Sequence, residues 1–215
     1  MKNIVFDFGG VLMQHNRAGC LQAFRRFLSD EDIYRVLGLG NESHDTLRYR
    51  FEVGELSQRR FIDSVLEHCA PATTEQQIID AWNTIHAGIP GDIWTYIRRL
   101  RNQGYHTYLM SNTDELHWEH TLALYREPIE ELFDEIFLSF RIGCAKPDKQ
   151  FFLAVDSVLP ASTVPTLFVD DTVANRLAAQ QSVGWQTCAT VPELMHITNN
   201  SATSSAMPLS KSCTI

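Results

Sequence analysis

The stretch Ile4-Val5-Phe6-Asp7-Phe8 constrains this chain more than any other. Apolar residues on both sides of one charge describe a strand buried on both faces of a parallel sheet, since a strand with one wet face would alternate. Burying an ion inside such a strand costs on the order of several kcal/mol unless a cation or hydrogen bonds hold it. At the carboxyl end, however, the side chain enters the crevice where open α/β sheets bind ligands. Gly9-Gly10 follow at once, and without Cβ atoms there the backbone amides can close around an anion. A plainer reading makes Asp7 only the first residue of a turn, so what the chain places beside it decides.

The chain has 215 residues, enough for one well-buried domain or for one domain carrying an insertion. A formal net charge of -8 argues against nucleic acid or anionic membrane as a partner, and an anionic substrate would need locally placed cations. No apolar run approaches the roughly 18 residues of a membrane span, and the sequence reads straight into a strand without a leader, so a cytoplasmic protein is expected. Cys20, Cys69, Cys144, Cys188 and Cys213 form no CxxC pair, which predicts free thiols rather than a disulfide framework or a zinc site.

From 15 to 85 the apolar spacing is helical, as in Leu21, Phe24, Phe27 and Leu28 and again in Phe61, Ile62, Val65 and Leu66. Breaks at Ser29-Asp30, Gly38-Leu39-Gly40, Gly54 and Pro71 predict four or five short helices, with Ser57 and Thr74 as N-caps. Pro90-Gly91 opens a further helix over 92–101, closed by Gly104. Beyond it, strands over 105–110, 135–140, 166–169 and 186–190 alternate with helices over 115–126, 149–159 and 173–182. That alternation is the signature of βαβ units, and right-handed crossovers put the first strand, 2–8, near the middle of one parallel sheet. The Ser- and Thr-rich stretch 199–215 is expected to be a flexible tail.

Three more polar signals each stand just after an apolar strand. Ser111-Asn112-Thr113-Asp114 offers a hydroxyl and free helix-start amides to an anion, although it would also serve as a simple helix cap. Lys146 sits before Pro147, on a rigid step into the next helix. Asp170-Asp171 repel each other, which a divalent cation would relieve, and Asn175 lies one helical turn further on. Together they place a nucleophile candidate, a hydroxyl, a lysine and an acidic pair at the ends of four strands.

In order and spacing, Phe6-Asp7-Phe8-Gly9-Gly10-Val11-Leu12, Met110-Ser111-Asn112-Thr113, Lys146-Pro147 and Val169-Asp170-Asp171 resemble the four motifs of the haloacid dehalogenase superfamily. The opening motif, the Phe51-Glu52-Val53-Gly54-Glu55 stretch and the run from Ser111 through His117 are most similar to its glucose-1-phosphate phosphatase-like branch. The resemblance implies an α/β fold, a Rossmann-like parallel sheet flanked by helices over 1–14 and 86–198, with a small α-helical cap over 15–85. It also implies a phosphomonoesterase acting on a small phosphorylated metabolite, such as a sugar phosphate. Asp7 would form an aspartyl-phosphate that water hydrolyses. Mg²⁺ would be held by Asp7, the Gly9 carbonyl and Asp171, with Asp170 either ligating it or standing behind. Ser111 and the amides of Asn112 and Gly9 would bind phosphoryl oxygens, with Lys146 offsetting charge.

Gly9 departs from the pattern, since most phosphatases of the superfamily carry there a second Asp that protonates the leaving group. Loss of such a group costs about 10²- to 10⁴-fold, so either the leaving group needs little help or His15, His44 or Glu52 stands in. His117, near a helix start, is a further candidate to touch substrate. A dehalogenase, a phosphotransferase and a non-catalytic binding protein of the same fold are the alternatives. The retained acidic pair weighs against the first, and retention of Asp7, Ser111, Lys146 and Asp171 against the last. Either a monomer or a homodimer is compatible with the sequence.

Overall fold

The computed structural model describes residues 2–38 and 46–204. A five-stranded, all-parallel sheet of order β3-β2-β1-β4-β5 is built from β1 (Lys2–Phe6), β2 (Tyr105–Ser111), β3 (Glu135–Leu138), β4 (Leu167–Val169) and β5 (Gln186–Cys188). The first strand is central, as expected. Its register, Phe6 beside Leu109 on one side and Val169 on the other, brings the ends of β1, β2 and β4 to one edge.

Between β1 and the rest of the sheet lie α1 (Arg17–Phe24), α2 (Asp30–Asp32) running into a π-turn (Ile33–Leu37), α3 (Leu47–Glu52), α4 (Gln58–Leu66) and α5 (Glu75–Asn83). These helices bury a cluster of their own, including Phe24, Phe51, Phe61, Ile62, Val65 and Trp82, to which the other part of the chain adds Leu116. The predicted N-caps are present. The Ser57 hydroxyl accepts from the Arg60 amide at 3.4 Å, and Thr74 forms a capping box with Gln77.

The two faces of the sheet explain the unbroken apolar run of β1. Ile4 and Phe6 pack with Ile97, Leu100, Ile129 and Leu194, beneath α6 (Gly91–Asn102), α7 (Glu115–Leu132) and the last helix. Val5 points the other way, into Tyr108, Met110, Phe151, Phe152 and Phe168. The helices covering that second face are α9 (Lys149–Asp156) and α10 (Val173–Val183). A strand covered on both faces has no solvated position for a charge, and Asp7 lies just beyond its end.

Some boundaries differ from expectation. β1 stops at Phe6 rather than at residue 8, because the chain curls back there. The Phe8 carbonyl accepts from both Leu12 and Met13 amides at 2.9 Å, while the Asp7 amide still donates to Val169 at 2.8 Å. β3 ends at Leu138, and Ser139 begins a short helix, α8 (Ser139–Ile142), where a strand to 140 was predicted. α7 runs to Leu132 and not to 126, in two segments that meet at Tyr125 (φ -134°, ψ 21°). Pro128 has no amide to donate and its ring crowds the preceding turn, so the kink falls before it and the helix resumes. The last helix, α11 (Val191–Ser204), extends into the stretch predicted as a flexible tail; 205–215 lie outside the described residues.

Candidate active site

Asp7, Lys146 and Asp170 meet at the carboxyl edge of the sheet. The Lys146 ammonium lies 2.8 Å from Asp7 Oδ1 and 2.8 Å from Asp170 Oδ2, and donates to the Met110 carbonyl at 3.0 Å. All three side chains are buried. Burial works against the charge on Lys146, but Asp7 and Asp170 outweigh it and raise its pKa above the ordinary lysine value. Asp7 fares differently. Burial dominates there and, against the pull of Lys146, lifts the carboxyl to about 7, with Asp170 adding to the rise. One ammonium does not balance the acids that converge here.

The surrounding loops hold this centre rigidly. Asn112 and Lys146 exchange hydrogen bonds, Asn112 Nδ2 to the Lys146 carbonyl and the Lys146 amide to Asn112 Oδ1, both at 2.8 Å. Ser139 does the same for the neighbouring loop, accepting from the Thr113 amide and donating to its carbonyl at 2.9 Å. The expected anion donors are left open. Among the described residues the Gly9 and Asn112 amides have no acceptor, and the buried Ser111 hydroxyl has only a 3.5 Å contact to the Asn112 carbonyl.

Asp170 and Asp171 have different environments. Both oxygens of Asp170 are engaged, by Lys146, by Asn175 Nδ2 at 3.1 and 3.0 Å and by the Thr172 amide at 2.8 Å. Asp171 is exposed and has only a 3.4 Å contact from the Thr172 hydroxyl. Carboxylate oxygens of Asp7, Asp170 and Asp171 lie within 4.8 Å of one another. Three carboxylates with one lysine leave an excess of negative charge, and an all-oxygen donor set suits a hard divalent cation. Gly10 makes the approach possible. It adopts φ +86°, and a Cβ there would stand 2.4 Å from Asp171 Oδ2.

His15 stands over the other glycine. Its Nε2 lies 2.4 Å from where a Cβ on Gly9 would be, so the imidazole fills the space that a side chain at position 9 would need. Glu52 is instead tied up in the insertion, accepting from Arg48 Nη1 at 2.9 and 3.2 Å. His44 lies outside the described residues. Both ring nitrogens of His117 are taken, Nδ1 by Asp114 at 2.8 Å and Nε2 by the Trp82 carbonyl at 3.0 Å, so neither is free for substrate. The sequence gives no sign that Trp82 stacks on His117 at 4.9 Å or that Asp114, which reads there as part of a helix cap, is a fully buried carboxylate.

Residues 1–182 match the family model described as haloacid dehalogenase-like hydrolase. The chain belongs to this family. Within it, the chain is 33% identical over 187 residues to the D-ribitol-5-phosphate phosphatase of Bacteroides thetaiotaomicron, covering 81% of this chain and 85% of that one. It is also 36% identical over 84 residues to a sesquiterpene phosphatase of Aspergillus oryzae, covering 39% and 42%. Among solved structures, a haloacid dehalogenase family enzyme of B. thetaiotaomicron in complex with magnesium and inorganic phosphate superimposes with a TM-score of 0.77 at 28% identity, covering 88% of this chain and 93% of that one. A haloacid dehalogenase-like hydrolase of Porphyromonas gingivalis gives 0.79 at 26% identity, with 92% and 98% covered. The parallel sheet flanked by helices is thus the fold of a haloacid dehalogenase-like hydrolase, as the motifs implied.

Proposed function

We propose that this haloacid dehalogenase-like hydrolase is a Mg²⁺-dependent, cytoplasmic phosphomonoesterase acting on a small sugar or polyol phosphate through an aspartyl-phosphate on Asp7. One observation carries the proposal: Lys146 pins Asp7 at the sheet edge while Asp171 and the Gly9 and Asn112 amides remain open beside it. The related ribitol-phosphate phosphatase supports the substrate class. Among the described residues no helix is long and apolar enough to cross a membrane, and the described cysteines are free, which supports the compartment.

Asp7 Oδ1 is fixed by Lys146 and by the Phe8 amide at 2.7 Å, which leaves Oδ2 without a donor among the described residues. Asp7 attacks phosphorus, the ester P–O bond breaks, and the departing oxygen takes a proton from the imidazolium form of His15, which occupies the space above Gly9 and which burial, then Arg17, makes a stronger acid than free histidine. Water then attacks the aspartyl-phosphate and returns a proton to His15, releasing phosphate and restoring the Asp7 carboxylate. Ser111 and the amides of Gly9 and Asn112 donate to the phosphoryl oxygens, and Lys146 neutralises charge between nucleophile and phosphate. Asp7, the Gly9 carbonyl and Asp171 would hold Mg²⁺, with Asp170 behind them orienting Lys146. The metal would supply further charge neutralisation at the phosphoryl group. The helical insertion acts as a cap that excludes water when substrate is bound.

The test is phosphate release from a panel of sugar and polyol phosphates with and without Mg²⁺. Metal-dependent release that disappears in Asp7→Asn is expected. Release that survives the substitution would overturn the assignment.

A further inference from the structure

His15, His86 and His120 crowd the side of the site where the leaving group would sit. The backbone brings the first two together. Residues 15 and 86 form an antiparallel bridge, flanked by bonds from the Ala87 amide to the Gln14 carbonyl at 2.9 Å and from the Asn16 amide to the Ile85 carbonyl at 2.7 Å. The His86 ring lies 5.3 Å from that of His120 and 4.9 Å from that of His117. With His15 over Gly9, the 15–86 bridge links the site to His86, and His86 in turn stands beside His120.

None of the ring nitrogens of His15, His86 or His120 has a hydrogen-bond partner among the described residues, although His86 and His120 are half-buried. The unpaired nitrogens of His86 and His120 are not sealed from solvent, so they are open to a ligand. We infer that His86 and His120 form a subsite for the hydroxyl groups of the substrate's carbon chain, with His15 between them and the phosphoryl group. This rests on the phosphatase assignment and specifies its substrate as an ester with an uncharged, hydroxylated tail.

The chemistry of these histidines favours hydroxyls over a second anion. His117 behind them donates from both nitrogens, to a carboxylate and to a carbonyl, and is therefore an imidazolium. Burial first, and then the charge of His117, holds His86 down to about 3; the same two causes lower His120. A neutral imidazole presents one donor and one acceptor, as a hydroxyl does, whereas a carboxylate or second phosphate needs charged donors.

The test compares kcat/KM for a pentitol 5-phosphate and for n-pentyl phosphate, esters of equal chain length with and without hydroxyls, in wild type, His86→Phe and His120→Phe. Phenylalanine keeps the ring packing and removes the nitrogens, and a ratio of two substrates in one protein cancels any folding defect. The wild type is expected to prefer the pentitol ester, and each variant to reduce that preference by about tenfold, mainly through KM. Equal losses on both esters, or a wild type that does not prefer the pentitol ester, would overturn the subsite while leaving the phosphatase standing. Hydrolysis of neither ester by wild type with Mg²⁺ would overturn both.

Discussion

The indole Nε1 of Trp82 donates to Asp114 Oδ2 at 3.0 Å, from the helical insertion to the start of α7 beside the candidate active site. Asp114 is fully buried and also accepts from the His117 amide at 3.0 Å. Trp82 packs on Phe24 and Phe61 in the middle of the insertion's own core. Trp82→Phe keeps the apolar ring and leaves a buried carboxylate short of one donor. A loss of about 1–3 kcal/mol is expected in urea unfolding, together with a raised KM. An unchanged midpoint would show that the contact does not dock the insertion.

His117 makes this docking pH-dependent. Burial opposes its charge, but Asp114, the Trp82 carbonyl and Glu52 prevail and raise its pKa above 6.5; His86, His120 and His15 are the other titratable groups around it. The folded state therefore binds the proton more tightly than the unfolded one. Its contribution is complete below 6.5 and is lost as pH rises through the folded-state value. Unfolding midpoints measured from pH 6 upward should show the advantage of wild type over His117→Gln shrinking as pH rises, because the opposite slope from His15, His86 and His120, whose pKa values are lowered, is common to both proteins. Parallel curves would contradict the assignment.

Removing the Lys146 ammonium leaves Asp7 and Asp170 buried without their cation. Lys146→Met should cost about 3–5 kcal/mol in stability, as expected when one member of a buried ion pair is lost. Turnover should fall by about 10²-fold or more. Paired denaturation and kinetic measurements on the same preparation check both, and a variant as stable as wild type would refute the role given to the lysine.

His15 and Gly9 form a reciprocal pair, since the imidazole stands where a residue-9 side chain would be. His15→Ala is expected to slow alkyl phosphate hydrolysis by about 10²- to 10⁴-fold and p-nitrophenyl phosphate much less, because a phenolate leaves without a proton. Gly9→Asp alone collides with the ring, whereas Gly9→Asp with His15→Ala should recover alkyl phosphate turnover. A uniform loss on both esters would rule out proton transfer by His15.

The centre of this site was legible because buried charge is rare enough to stand out in sequence. Asp7 breaks an apolar run and Asp170-Asp171 follows the apolar β4, and parallel strand order brings such breaks to one edge, whereas Lys146 is marked only by its step before Pro147 and its place in the motif order. What lay beyond that signal was set by tertiary placement. The sequence names His15 beside His44 and Glu52 as a stand-in at Gly9 without choosing among them, and nothing local says that Asp114 takes an indole from α5 as well as capping α7. His86 gives no sequence signal and His120 only its spacing three residues from His117, because the two belong to different elements and meet only after the insertion docks. α7 extends past 126 for a local reason, since Pro128 falls just inside a second helical segment, where its missing amide breaks no bond.

The central claim is that Asp7 carries the phosphoryl group during turnover. The most direct measurement is acid quench of the Mg²⁺-loaded enzyme within the first turnover of a pentitol phosphate, followed by mass spectrometry of the peptide containing Asp7. A phosphoryl adduct on Asp7 that forms and decays at rates consistent with kcat, and is absent from Asp7→Asn, is the predicted result. Phosphate released at the full rate in that first turnover, with no adduct on Asp7 at any quench time, would contradict it.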